Sequence, residues 1–129
     1  MNLNVQLIDV IQDEIIFDGI ANVENCKNGL KIEMKNQSII TWKVYAKGIV
    51  IEIASDYRIL LPLKENSCSK GHIDTEFGTM ELKCDTNLYR IDENFIEVKY
   101  SLNPDDDSNS FHFKLVGKED ISWQALMFN

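Results

Sequence analysis

The sequence predicts an all-β protein: a single antiparallel up-and-down β-barrel of about eight to ten strands, with a short C-terminal tail. Three observations carry that expectation. Apolar and polar residues alternate with period two along almost the whole chain, the signature of strands with one buried face. Short turn signals separate these runs at the spacing of antiparallel hairpins. No helical period of useful length precedes residue 117. Closure into a barrel removes the unpaired edges that so many short strands would otherwise expose; a two-sheet sandwich is the competing architecture.

The elements follow in order. The opening MNLNVQLIDV alternates apolar with polar residues, and Ile15, Phe17, Gly19, Ala21 and Val23 form the next apolar face. Gly19, in mid-strand, is the expected site of a bend in the wall. Leu30, Ile32 and Met34 then alternate with charged Lys31, Glu33 and Lys35, after Asn28-Gly29, the clearest hairpin turn. Ile40, Trp42, Val44 and Ala46 repeat the pattern, as do Ile49, Ile51 and Ile53. A turn is expected at Gly71, after which Met80, Leu82 and Cys84 share a face. Ile96, Val98 and Tyr100 follow, then Phe111, Phe113 and Leu115. Residues 1–117 thus make the barrel domain. The tail 118–129, KEDISWQALMFN with the final segment counted from Lys118, breaks the alternation. It predicts a short helix opening near Asp120, whose Ile121, Trp123, Ala125, Leu126 and Phe128 pack on one barrel end or on a partner subunit.

At 129 residues the chain has the size of one domain. Three widely spaced cysteines, Cys26, Cys68 and Cys84, form no C-x-x-C pair, so neither a disulfide framework nor a zinc site is expected. The N-terminal segment has no cationic region of a signal peptide and no apolar run is long enough to span a bilayer, so a cytoplasmic location without membrane insertion is expected. A net charge of −8 repels phosphate backbones, which argues against nucleic-acid partners.

Residues 69–85, SKGHIDTEFGTMELKCD, concentrate a histidine, carboxylates and a cysteine, with Cys68 immediately before them. In a strand His72, Asp74 and Glu76 share a face, but the outer two stand about 13 Å apart, too far to hold one cation together. Cys68 and His72 are close in sequence, without the oxyanion site a nucleophilic pair requires. The run from Asp105 lacks the glycine and glutamate of a calcium loop, having Ser110 and Val116 in their places. No metal, no cofactor and no catalytic residue is therefore expected, and the stretch reads as a corner and a strand.

Thr75, Phe77 and Gly78, followed by an alternating strand, a hairpin and SFHFKLVGKE, resemble the bacterial family DUF1934, or YwiB-like. That family carries Thr-Pro-aromatic-Gly at this corner; here Glu76 replaces the proline. The resemblance covers about residues 3 to 117 and implies a calycin-type barrel, related in shape to lipocalins, with no established activity to carry over. At the corner, Phe77 is expected to turn inward and plug the wall.

Two functions compete. In the first, the barrel binds a small apolar or amphipathic ligand against Phe17, Trp42, Val44, Ile51, Met80, Leu82, Phe111 and Phe113, with Arg58 and Arg90 meeting an anionic head group. In the second, it is a non-catalytic interaction or homodimerising module with a packed core. An interior void above about 300 Å³ would favour the carrier, and a large apolar outer patch the interaction module.

Overall fold

Nearly every alternating run becomes a strand in the computed structural model, which describes residues 1–103 and 110–128. Ten strands follow in order: β1 (Asn2–Asp9), β2 (Glu14–Cys26), β3 (Gly29–Lys35), β4 (Ile39–Tyr45) and β5 (Gly48–Ala54), then β6 (Arg58–Lys64), β7 (Cys68–Thr75), β8 (Gly78–Ile91), β9 (Phe95–Leu102) and β10 (Ser110–Gly117). Each pairs antiparallel with the next, and β1 pairs with β10, so the sheet closes on itself as an up-and-down barrel. The closing register sets Val5 against Gly117, Leu7 against Leu115 and Asp9 against Phe113. One helix, α1 (Trp123–Phe128), follows the last strand. The aspartate run 105–107, read above against the calcium-loop pattern, lies outside the described residues.

Alternation fixes which side chains fill the barrel. Leu30, Ile32, Trp42, Val44, Ile49, Ile96 and Leu115 are each buried to 1% exposure or less. Burying an apolar side chain of this size contributes about 1.5–3 kcal/mol. Two register breaks shift the alternation. Between β1 and β2, Leu7 opposes Phe17 while Ile8 opposes Ile15, so Ile16 is an extra residue. In consequence Ile16 turns inward and Ile15, expected inside, is exposed. The break lies there and not at Gly19, which pairs regularly with Val5. Between β8 and β9 the second break falls between Thr86 and Leu88. Leu82, Cys84 and Thr86 are buried before it and Tyr89 after it.

Two glycines do work other than the turns first assigned to them. Gly71 lies inside β7, where a Cβ would meet the Leu60 carbonyl oxygen at 2.4 Å. The turn before β7 is instead at Asn66, with φ of 54°. At the β2–β3 hairpin only Asn28 takes a positive φ, 66°, and Gly29 is required because a Cβ would meet the Val44 carbonyl at 2.3 Å.

The tail seats on the β8–β9 end of the barrel. Trp123 is fully buried; its backbone N–H donates to the Glu93 carbonyl at 2.7 Å and its indole N–H to the Asn94 carbonyl at 3.1 Å. Ile121 packs on Gly117, where an added Cβ would lie 2.7 Å from its own. Ser122 caps the helix by accepting from the Ala125 N–H at 3.1 Å. Beneath the plug the Tyr89 hydroxyl, on β8, donates to the Tyr45 carbonyl at the end of β4 at 2.5 Å. This end of the barrel is filled.

Candidate functional site

The other end is hollow. There the turns after β1, β3, β5 and β7 ring a cavity of about 240 Å³ that opens to solvent. Its collar is isoleucine: Ile16, Ile40, Ile53, Ile59 and Ile73, each from a different strand. Branched side chains suit a pleated wall but are stiff, so they cannot fold over to fill the space. Below the collar lie Trp42, Ile51 and Leu82, and one side is a wall of rings in which Phe111 stacks on both Tyr100 and Phe113. The Tyr100 and Phe111 centroids are 5.3 Å apart, and those of Phe111 and Phe113 6.4 Å.

Five of the sequence-predicted interior residues therefore meet at one cavity: Trp42, Ile51, Leu82, Phe111 and Phe113. Phe17 and Val44 are buried but belong to the packed part of the core. Three residues stand elsewhere than expected. Met80 is 62% exposed, because it sits near the tip of the β7–β8 hairpin, paired with Ile73, where no opposite wall covers it. Arg58 is exposed on the outer surface, its guanidinium held by the Glu52 carboxylate. Arg90, expected to meet a head group inside, is outside: the β8 register break sends Tyr89 inward and Arg90 out, where its Nε donates to Glu97 at 2.9 Å and its guanidinium lies over the Phe95 ring at 5.1 Å. Both arginines thus keep their hydration and a carboxylate partner, which the apolar interior could not supply.

Two polar residues at the cavity were not among the sequence candidates: Asp9 and Tyr100. Both were accessible to the same counting, since Leu3, Val5, Leu7 and Asp9 share a parity on β1, and Ile96, Val98 and Tyr100 share one on β9. Asp9 ends its strand, and its Oδ1 accepts the N–H groups of Ile11 and Gln12 at 3.1 Å each, tying the β1–β2 turn. Burial raises the Tyr100 phenol well above its usual range, and the charges of Cys84 and Asp9 push it the same way. It is therefore a neutral hydroxyl at any physiological pH, and among the described residues no hydrogen-bond partner engages it.

The corner Thr75-Glu76-Phe77-Gly78 is built by its threonine. The Thr75 hydroxyl accepts from the Phe77 N–H and donates to the Gly78 carbonyl, both at 3.1 Å, while Gly78 takes a φ of 128° open only to glycine. Phe77 does not plug the wall. It is 91% exposed at the hairpin tip, because the turn lies beyond the barrel rim.

The other chemistry-bearing side chains disperse. His72 Nε2 lies 3.6 Å from Asp74 on the outer surface, and Cys68 faces Asp85, at 3.6 Å, rather than His72. The Asp85 charge raises the Cys68 thiol above its usual range, the reverse of what a nucleophile needs. Among the described residues no three His, Cys, Asp or Glu side chains come together as metal ligands. One outer cluster is well made: Glu97, only 5% exposed, receives Arg90 and, at 2.6 Å, His112 Nε2. Beside it Phe95 lies between Arg90 and Lys114, whose Nζ is 4.6 Å from the ring centroid.

Ten strands in a closed meander with one hollow end define the architecture. Its fold is that of ywiB. Specifically, the crystal structure of the ywiB protein from Bacillus subtilis superposes with a TM-score of 0.64 over 90% of this chain and 88% of that one, at 14% identity. At that identity the likeness to ywiB is one of fold. No family model matches the chain, and no curated protein matches it.

Proposed function

We propose that the protein is a distant YwiB-like barrel that binds one small, largely apolar molecule in its open end. The carrying observation is the asymmetry of the interior. One end is plugged by Trp123 and Ile121, while the other holds an apolar cavity with an open mouth. At about 240 Å³ the cavity falls short of the roughly 300 Å³ at which drug-sized pockets begin. It nevertheless exceeds the roughly 150 Å³ in which an apolar cavity takes up benzene. The ligand is accordingly small, one or two rings or their aliphatic equivalent inside the cavity, with the open mouth admitting one further group. The same reading keeps the protein in the cytoplasm, where its three free cysteines stay reduced.

Titration with N-phenylnaphthylamine, a neutral dye bright only in apolar surroundings, tests this. Trp42 lies in the cavity wall and Trp123 at the opposite end, so a dye in the cavity takes excitation energy chiefly from Trp42. Saturation at one dye per chain, with transfer largely lost in Trp42→Phe, is the expected result. A linear rise without saturation, or transfer indifferent to Trp42, would refute the reading.

One observation favours a second reading, a non-catalytic module that homodimerises. Ile11, Tyr57, Phe77 and Met80, all at the mouth end, are between 51% and 91% exposed. Sedimentation velocity across a hundredfold concentration range decides it: a dimer abolished by Phe77→Ser supports this reading, and a monomer throughout removes it.

A further inference from the structure

The polar groups at the mouth say which small molecule the cavity suits, an inference that rests on the binding reading above. Among the described residues, every one that lines the cavity is apolar or aromatic except Asp9 and the hydroxyl of Tyr100. No lysine or arginine is among them, and the two arginines that might have met an anion are both outside, engaged by Glu52 and Glu97. Asp9 and Tyr100 flank one ring: Asp9 pairs across the sheet with Phe113, and the Phe113 centroid is 6.3 Å from that of Tyr100.

We propose that the cavity selects a small apolar molecule bearing a protonated amine, its apolar body against the isoleucine collar and its ammonium at Asp9 and the Tyr100 oxygen. The chemistry is one of matched desolvation. A carboxylate ligand brought to this mouth would meet a like charge and no cation, and would leave its own charge unpaired beside apolar walls. An ammonium meets a carboxylate, a neutral hydroxyl oxygen that accepts, and aromatic rings whose faces attract cations. Asp9 is free to serve, since the turn it ties uses Oδ1, and among the described residues Oδ2 has no hydrogen bond and the side chain no ion pair. The phenol stays protonated and neutral beside it, adding no competing charge. A net charge of −8 draws cations toward the molecule as a whole and adds to the preference.

Displacement of bound N-phenylnaphthylamine by phenylbutylamine, phenylbutanol and phenylbutyrate, three molecules of one shape and different charge, tests the inference. The amine is expected to compete roughly tenfold better than the alcohol, and the carboxylate to be weakest. Asp9→Asn keeps an acceptor oxygen for the turn while removing the charge; it should bring the amine down to the level of the alcohol. Tyr100→Phe should weaken the amine by less than that. Equal competition by amine and alcohol in the natural protein, or the best competition by the carboxylate, overturns the inference while leaving the binding reading intact. An amine advantage that survives in Asp9→Asn also overturns it. Failure of the dye itself to bind removes the binding reading, and the amine selectivity with it.

Discussion

Glu97 shows how a polar residue on the outer wall is held. Its carboxylate is 5% exposed and would be costly to bury alone. Burial pushes its pKa up, but hydrogen bonds from His112 and Arg90, with the charge of Lys114 nearby, outweigh that and leave the group below its usual value of 4.5. A depressed carboxyl stabilises the fold above its unfolded pKa, and that stabilisation is lost as pH falls through the folded pKa. Glu97→Gln should therefore cost about 1–3 kcal/mol at pH 7. In urea melts the gap between the two proteins should narrow as pH falls below about 4.5; a gap that stays constant down to pH 3 would mean that shape, not charge, is at stake. Little of this was legible beforehand. The alternation of His112 between Phe111 and Phe113 puts it on the outer face, but which carboxylate it meets depends on the β9–β10 register, which sets His112 against Lys99 and diagonal to Glu97. At the same scale Asp9 and Tyr100 were readable by parity. Neither was a site candidate, because a lone acid or phenol in an alternating run carries no motif.

At the scale of elements, period two was enough to reveal the strands, because each has one face against the core and one toward water. What it could not reveal was where the period slips. The extra residue at Ile16 and the break after Thr86 each reverse the faces from one side of the slip to the other, which is why Ile15, expected inside, lies outside and why Arg90 faces outward next to buried Tyr89. A bulge costs no change in composition, so a sequence of alternating apolar residues carries no mark of it. The tail was legible for a different reason: a cluster of apolar residues after the last strand must be covered. The short α1 is not stable by itself, having too few turns to repay nucleation, and depends on Trp123 in its socket. Trp123→Ala should destabilise the protein by about 3–5 kcal/mol, measured by chemical denaturation. A cost under about 1 kcal/mol would show that the plug is not part of the cooperative unit.

For the whole molecule, the barrel treats its two ends differently, and this can be tested with one kind of substitution. Val44 is fully buried in the packed end, whereas Ile53 stands in the collar over empty space. Enlarging a side chain in a close-packed interior forces its neighbours off their rotamers, so Val44→Phe should cost about 1–3 kcal/mol. The same ring introduced as Ile53→Phe enters a void, removes apolar surface from water and meets partners it lacked. It should leave stability unchanged or raise it by about 0.5–2 kcal/mol. Because it occupies the ligand's volume, it should also abolish binding of N-phenylnaphthylamine, while any residual dye binding in Val44→Phe should follow the fraction folded. Urea midpoints and dye titrations on the two variants should show stability lost at Val44 alone, paired with loss of binding at Ile53. Two variants equally destabilised would mean that the mouth closes in solution as tightly as the plug. The cavity would then be a feature of one conformation, and the interaction reading, with its exposed rim of Ile11, Tyr57, Phe77 and Met80, would stand ahead of the carrier.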